Sequence, residues 1–327
     1  MTSLNGKTIL LTGGTGSFGQ KCSEILLNQS EPESLRIYSR GELMQVQMEQ
    51  KFNDNRLRFL IGDVRDRQRL YRAMNGVDIV IHAAALKQVP ACEYNPIEAI
   101  KTNIEGTMNV IDAAIDNEIE KMMLISTDKA VHPVNLYGAT KMVAEKMTVQ
   151  SNTYAGGKRT KLSCVRYGNV IGSRGSVIPL FQGQKKKGEI TLTDERMTRF
   201  WITLDKGVHF VLDSIGKMNG GEIFIPKIPS MRLIDLAEVI APNINKKIIG
   251  IRPGEKLHEV LLTEDEARHS LEYEHFFVIE PEHPVWTNVH TPIAGGKPIN
   301  GMFRYASDTN SQWLNNDDLK KIINEDK

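Results

Sequence analysis

The chain of 327 residues is poor in cysteine, in aromatic side chains and in net charge, and it has no long apolar run. Its three cysteines, Cys22, Cys92 and Cys164, lie far apart with no CxxC spacing. That excludes a disulfide framework, fits a reducing compartment and leaves them as small apolar residues of packed elements. A formal net charge of +1 excludes a global field aimed at nucleic acid or a membrane surface. The basic run Lys185–Lys187 reads as a solvated face. No stretch approaches the roughly 20 apolar residues that span a bilayer. Met1–Lys7 lacks the basic and apolar segments of a signal peptide. The expectation is a cytoplasmic protein without nucleic-acid or membrane partners. The eight histidines show no metal-ligand spacing, so no metal is expected.

What is present is a rhythm. Short β-rich runs at Thr8–Thr12, Leu35–Ser39, Leu57–Ile61, Asp78–His82, Met122–Ser126 and Leu162–Val165 alternate with helical spacing at Cys22–Leu27, Arg67–Met74, Ile97–Ala114 and Lys141–Gln150. Such alternation predicts βαβ units and an α/β, doubly wound parallel sheet, which binds ligands beyond the carboxyl ends of its strands. After about Asn169 the rhythm breaks into segments punctuated by Gly and Pro, and beyond Glu280 the chain reads as irregular. Residues 1–171 plus about 204–225 are therefore assigned to the sheet domain, with Leu204–Ile225 returning as one more helix and strand. Residues 172–203 plus 226–327 are assigned to a smaller mixed α/β lobe.

Ile9–Thr12 runs into Gly13, Gly16 and Gly19. Gly13 permits a tight turn, Gly16 lets backbone N–H groups approach a pyrophosphate, and Gly19 lets the next helix pack closely on the strand. Where an NAD-selective site places an acidic residue after the second strand, this chain has Ser39-Arg40, a hydroxyl and a guanidinium suited to a 2′-phosphate. NADP is the expected cofactor. Asp63-Val64 after the third strand reads either as an adenine contact or, for Asp63, as the cap of the next helix.

Ser126-Thr127-Asp128-Lys129 ends the fifth strand, and Tyr137 and Lys141 follow, four residues apart on one helical face. An ammonium near a phenol favours the phenolate, so the pair suits proton exchange with a substrate hydroxyl during hydride transfer. Together with Tyr167-Gly168-Asn169-Val170, these motifs resemble the extended short-chain dehydrogenase/reductases, with their Rossmann sheet. More narrowly, Ala83–Pro90, Ser126–Ala130, Arg174–Phe181, Met197–Phe200 and Arg252–Lys256 resemble the UDP-N-acetylglucosamine 4,6-dehydratases. The chain is most similar to their configuration-inverting, pseudaminic acid branch, which retains a tyrosine at this position.

The resemblance implies a cofactor site of Gly13, Thr15, Gly16, Ser17, Phe18, Gly19, Ser39, Arg40, Asp63, Val64, Ala83, Ala85, Lys87, Tyr137, Lys141 and Val170. It implies UDP-N-acetylglucosamine as substrate, held by Lys87, Asn169, Pro179, Thr191, Met197, Arg199, Arg252 and Glu255. Planar guanidinium forks make Arg199 and Arg252 candidates for the UDP phosphates. The implied chemistry is oxidation at carbon 4 with Tyr137 and Lys141, orientation by Thr127, loss of the carbon 5 proton to Lys129, loss of the 6-hydroxyl aided by Asp128, and reduction at carbon 6. Inverted reprotonation then gives UDP-2-acetamido-2,6-dideoxy-beta-L-arabino-hex-4-ulose. As a base Lys129 must be neutral, which requires a lowered pKa. Which of Asp128 and Lys129 is acid and which base stays open. The resemblance also implies a homo-oligomer, with a hexamer as one form, and a product used in flagellin glycosylation. A 4-epimerase or ketoreductase would share Tyr137 and Lys141 without needing Asp128-Lys129, and a non-catalytic NADP sensor would need none of them.

Overall fold

The computed structural model of the chain describes residues 4–171, 177–282 and 291–325, with side chains to residue 323. Arg174, Gly175 and Ser176, from one of the motifs above, and His283 and His290 lie outside the described residues.

The first strand, β1 (Thr8–Thr12), is buried throughout and divides its side chains between two cores. Ile9 and Leu11 join Cys22, Leu26 and Val208, while Leu10 joins Leu70, Val80 and Val110. An apolar residue on each face is what a strand covered by helices on both sides requires. Five further strands, β2 (Ser34–Ser39), β3 (Leu57–Ile61), β4 (Ile79–His82), β5 (Lys121–Thr127) and β6 (Lys161–Tyr167), lie in the order β3-β2-β1-β4-β5-β6, all parallel. The order reverses between β1 and β4, so a crevice opens there at the carboxyl ends. Helix α1 (Ser17–Gln29) covers one face; α2 (Glu42–Phe52) and α3 (Arg67–Met74) connect the next strands.

The expected helix over Ile97–Ala114 is broken. After α4 (Val89–Tyr94) come α5 (Pro96–Ile100), a π-helical turn (Lys101–Glu105) and α6 (Gly106–Asp116). The wide turn aims the buried Asn103 amide inward. It accepts from the Leu86 N–H at 2.8 Å and donates to the Leu86 carbonyl at 2.9 Å and to Thr140 Oγ1 at 3.0 Å. The loop after β4 is thereby tied to α7 (Leu136–Gln150), the helix that carries Tyr137 and Lys141.

A short helix, α8 (Asn152–Ala155), leads to β6, and β7 (Asn169–Ile171) starts the second lobe. There α9 (Val177–Lys185), β8 (Glu189–Leu192) and β9 (Thr198–Thr203) precede α10 (Leu204–Lys217) and β10 (Ile223–Pro226). β10 lies parallel beside β6, and α10 packs against α1. The lobe continues with β11 (Ser230–Arg232), α11 (Leu233–Ile240), β12 (Asn245–Ile248) and β13 (Val260–Leu262). Its sheets are β11-β9-β7 and β12-β8, the first contributing buried Trp201 and Met231 to a core with Phe181 and Leu236.

Two regions differ from the sequence reading. After α12 (Glu264–Ala267), β14 (Ser270–Glu272), β15 (Phe276–Ile279) and β16 (Lys297–Pro298) add an antiparallel edge to the main sheet, although the sequence reading placed them in the smaller lobe. The tail is not irregular throughout either: β17 (Tyr305–Ala306) pairs with β13, and α13 (Asn316–Glu325) packs on α11. Asn315 Oδ1 accepts from the Asp317 and Asp318 N–H groups, and Leu319, Ile322 and Ile323 form the apolar stripe at helical spacing.

Candidate active site

The crevice is a cavity of about 840 Å³ lined by the ends of β1, β2, β4, β5 and β6. Gly13 has a φ of +67°, and a Cβ there would lie 2.9 Å from the Ala84 backbone. A Cβ on Gly19 would collide with the Gly14 carbonyl, so the helix can approach its own turn only through glycine. Gly16 occupies the N-cap of α1 with no side-chain cap, which leaves the helix N-terminus facing the cavity for an anion.

Of the expected cofactor residues, Gly13, Thr15, Gly16, Ser17, Phe18, Ser39, Arg40, Asp63, Val64, Ala83, Ala85, Lys87, Tyr137, Lys141 and Val170 line this cavity. Gly19 lies beneath it. The Ser39 hydroxyl accepts from Gln45 Nε2 at 3.0 Å, and Arg40, largely exposed, lies 3.8 Å from Asp63. Burial disfavours the Asp63 carboxylate, but Arg65 and Arg40 outweigh it and lower its pKa. The cap of α3 is Asp66, not Asp63. Thr102 Oγ1 and Ser126 Oγ are buried without hydrogen-bond partners on the cavity wall, so polar atoms of a bound cofactor suit them.

At the reactive end, Asn135 caps α7 by accepting from the Gly138 N–H at 2.8 Å. A Cβ on Gly138 would strike the Lys129 carbonyl, so the turn Asp128–Ala130 lies directly across the first turn of α7. This brings Thr127, Lys129 and Tyr137 to one wall. Burial pushes the Tyr137 phenol up to about 12, against the lowering effects of Lys129 and of a Thr127 hydrogen bond. The expected partner, Lys141, instead donates to the Ile125 carbonyl at 2.6 Å. Helical spacing puts both side chains on one face, but the strand-end carbonyl captures the ammonium. Burial lowers Lys141 to about 8, despite Glu145 and Cys164.

Asp128 and Lys129 differ in access. Asp128 is 0% exposed and does not line the cavity; its Oδ1 accepts from Thr127 Oγ1 at 2.9 Å and Lys129 Nζ at 3.0 Å. Its carboxylate stands behind Lys129. Burial disfavours the Lys129 ammonium, yet Asp128 and Glu259 outweigh burial and hold its pKa well above the ordinary value. The neutral lysine expected of a base is therefore not the form favoured by the protein's own charges. Glu259 carries no motif signal in a single sequence. It lies 130 residues from Lys129 and meets it through folding alone. Lys87, on the same wall, is lowered by burial and by Lys129.

A second cavity of about 540 Å³ adjoins the first, sharing Asn169, Val177 and Trp201. Pro179, Thr191, Met197, Arg199, Arg252 and Glu255, all expected around the substrate, line it with Asn169. Arg252 is exposed there, and its backbone N–H donates to Glu255 Oε2 at 3.4 Å. Arg199 is otherwise engaged: its guanidinium donates to the carbonyls of Thr198, Leu257 and Lys256 at 2.7–3.1 Å. It braces the chain that carries Arg252 rather than offering an open fork. Trp201 Nε1 and Asn169 Oδ1 are buried without partners where the cavities meet. No group of three or more His, Cys, Asp or Glu side chains suited to a metal occurs among the described residues, and none of their helices is long and apolar enough to cross a membrane.

A switch-point crevice with a glycine turn at one end and a tyrosine and lysines at the other defines an extended short-chain dehydrogenase/reductase. Within that class the chain belongs to the family described as polysaccharide biosynthesis protein, whose model matches residues 9–281. It is 51% identical to an inverting UDP-N-acetylglucosamine 4,6-dehydratase of Campylobacter jejuni, over 98% of both chains. It is 39% identical to a UDP-glucose 4-epimerase of Rickettsia rickettsii, over 97% of this chain and 95% of that one. The solved structure of Pen from Bacillus thuringiensis matches with a TM-score of 0.90 at 38% identity, covering 99% of this chain and 98% of that one.

Proposed function

We propose that this chain is an NADP-dependent UDP-N-acetylglucosamine 4,6-dehydratase that inverts carbon 5 and supplies pseudaminic acid biosynthesis. The observation that carries the reading is Lys129 on the cavity wall beside Tyr137, at the end next to a second cavity holding Arg252. A 4-epimerase needs Tyr137 and Lys141 but no second proton-handling group; a dehydratase needs one at carbon 5. The nicotinamide cofactor, when bound in the first cavity, supplies reversible oxidation of the sugar.

The chain's own residues divide the remaining work. Tyr137 exchanges the proton of the 4-hydroxyl, which Thr127 orients. Lys141 faces the cofactor from a site where burial has already lowered its pKa, so its proton is readily exchanged. Lys129 handles the carbon 5 proton. Arg199 opposes Asp128 and Glu259 there and favours the neutral, basic form. Asp128, shielded from the cavity, acts through Lys129 on the departing 6-hydroxyl. Arg252 receives the UDP phosphates, and Arg40 with Ser39 favours a cofactor carrying a 2′-phosphate. Strongly exposed apolar side chains such as Tyr94 and Ile97 support a homo-oligomer.

The deciding experiment adds the protein to UDP-N-acetylglucosamine in deuterated water and follows the sugar by NMR. The expected product is a 4-keto-6-deoxy sugar with deuterium at an inverted carbon 5 and no net change in NADPH. Conversion to the galacto epimer would overturn the dehydratase reading, and absence of any reaction would leave an NADP-binding sensor.

A further inference from the structure

The carboxylate of Glu259 is 3% exposed and stands among three cations. Oε1 lies 3.6 Å from Lys129 Nζ and 3.8 Å from Arg199 Nε, and Oε2 lies 3.4 Å from Lys256 Nζ. Each distance exceeds the roughly 2.7–2.9 Å of a charge-assisted hydrogen bond. Oε2 is buried and accepts no hydrogen bond. The backbone of Glu259 is fixed independently of these ion pairs. The Glu259 N–H donates to Ser307 Oγ at 2.9 Å, and its carbonyl accepts from the Ser307 N–H at 2.8 Å.

The segment leading to Glu259 is fastened to the reactive turn. Lys256 Nζ donates to the Val131 carbonyl at 2.5 Å, and Asn135 Nδ2 donates to the Gly254 carbonyl at 2.7 Å. One stretch of chain therefore places Arg252 and Glu255 in the second cavity and a carboxylate against Lys129 in the first. The groups facing Lys129 are Asp128 from its own turn, Glu259 from this segment, Arg199 from β9, Tyr137 from α7 and Lys87 from the loop after β4.

We infer that Glu259 is a positioning residue for Lys129: it fixes the ammonium on the wall of the first cavity and sets its state of protonation. This rests on the proposed role of Lys129 at carbon 5. Asp128 alone would draw the ammonium back toward β5, whereas the second carboxylate holds it between two anions. The arrangement also makes the position of Lys129 depend on the segment that receives the nucleotide.

The test uses the full chain with 15N-labelled lysines, the Lys129 signal being assigned through Lys129→Arg. NMR titration of the wild type should keep Lys129 an ammonium through its ordinary 10.5. Glu259→Gln, nearly isosteric, should move that titration at least ~1 pH unit lower, and Glu259→Asp by less. The limb of the kcat–pH profile that reports Lys129 should move the same way, with KM for the UDP-sugar within about 3-fold of wild type. A Lys129 titration unmoved in whichever of the two variants folds would overturn the inference. So would a uniform loss of kcat with no movement of the limb. If the wild type does not turn over UDP-N-acetylglucosamine, the functional reading fails, and the titration still decides the role of Glu259.

Discussion

Replacing Arg166 by methionine probes the joint between the reactive helix and the second lobe. Arg166 is 3% exposed on β6; it donates to Glu145 at 3.0 and 2.7 Å, to Glu266 at 2.9 and 3.1 Å, and to the Leu261 carbonyl at 2.9 Å. Glu145 lies one turn beyond Lys141 on α7, and Glu266 belongs to the capping box of α12. Methionine fills much of the volume but strands two carboxylates. Removing one partner of a buried pair costs about 3–5 kcal/mol. Glu266 is 20% exposed and can turn to water, which favours the lower value, about 3 kcal/mol. At roughly 2–4 °C per kcal/mol for domains of a few hundred residues, Tm at pH 7 should fall by about 6–12 °C. The pH dependence discriminates further. Burial disfavours the Glu266 carboxylate, but Arg166 outweighs it and holds its pKa below the ordinary 4.5. A depressed carboxyl contributes stability that is present above its unfolded pKa and lost as pH falls through the folded one. The gap between wild type and variant should thus be constant at neutral pH and narrow below pH 4.5. Thermal melts by circular dichroism at fixed scan rate across that range measure it. A gap that stays equal at acid and neutral pH would refute the electrostatic reasoning and leave only a packing defect.

Three further outcomes concern the cavities. Arg40→Ala should weaken NADP binding by about 10-fold, the low end for a charged hydrogen bond because Arg40 is exposed, and leave NAD binding unchanged by calorimetry; equal losses for both cofactors would remove the 2′-phosphate from its role. Lys129→Met should abolish deuterium incorporation at carbon 5 while cofactor affinity is retained, and lost affinity would mean that Lys129 serves the cofactor. Arg252→Ala should raise KM for the UDP-sugar by about 10-fold with little change in kcat, as removal of a contact equal in ground and transition states does; a pure kcat effect would place Arg252 at the chemistry.

Much of the site is legible in the chain because its signals are local. The turn at Gly13, the close packing at Gly19 and the shared face of Tyr137 and Lys141 each follow from a few neighbouring residues, and the parallel sheet follows from the alternation of strand and helix patterns. The α13 signal was also local, with Asn315 ahead of Leu319, Ile322 and Ile323, but was hidden among residues rich in Gly, Pro and Asn. The antiparallel edge β14–β16 was less accessible, because short strands such as Ser270–Glu272 owe their conformation to the neighbours they pair with.

Charge and access belong to the tertiary structure. The sequence sets Asp128 beside Lys129 and offers both as acid or base; only packing buries the carboxylate and leaves the ammonium on the wall. The pairing of Tyr137 with Lys141 is permitted by helical spacing, yet the Ile125 carbonyl takes the ammonium and Lys129 becomes the cation that acts on the phenol. Glu259 reaches Lys129 across 130 positions, a distance over which no periodicity carries information. By itself the sequence determined the local geometry of a dinucleotide turn and a reactive helix, since backbone sterics act between near neighbours. The fold alone decided which groups are charged and which can be reached, since those depend on what long-range packing brings close and what water it excludes.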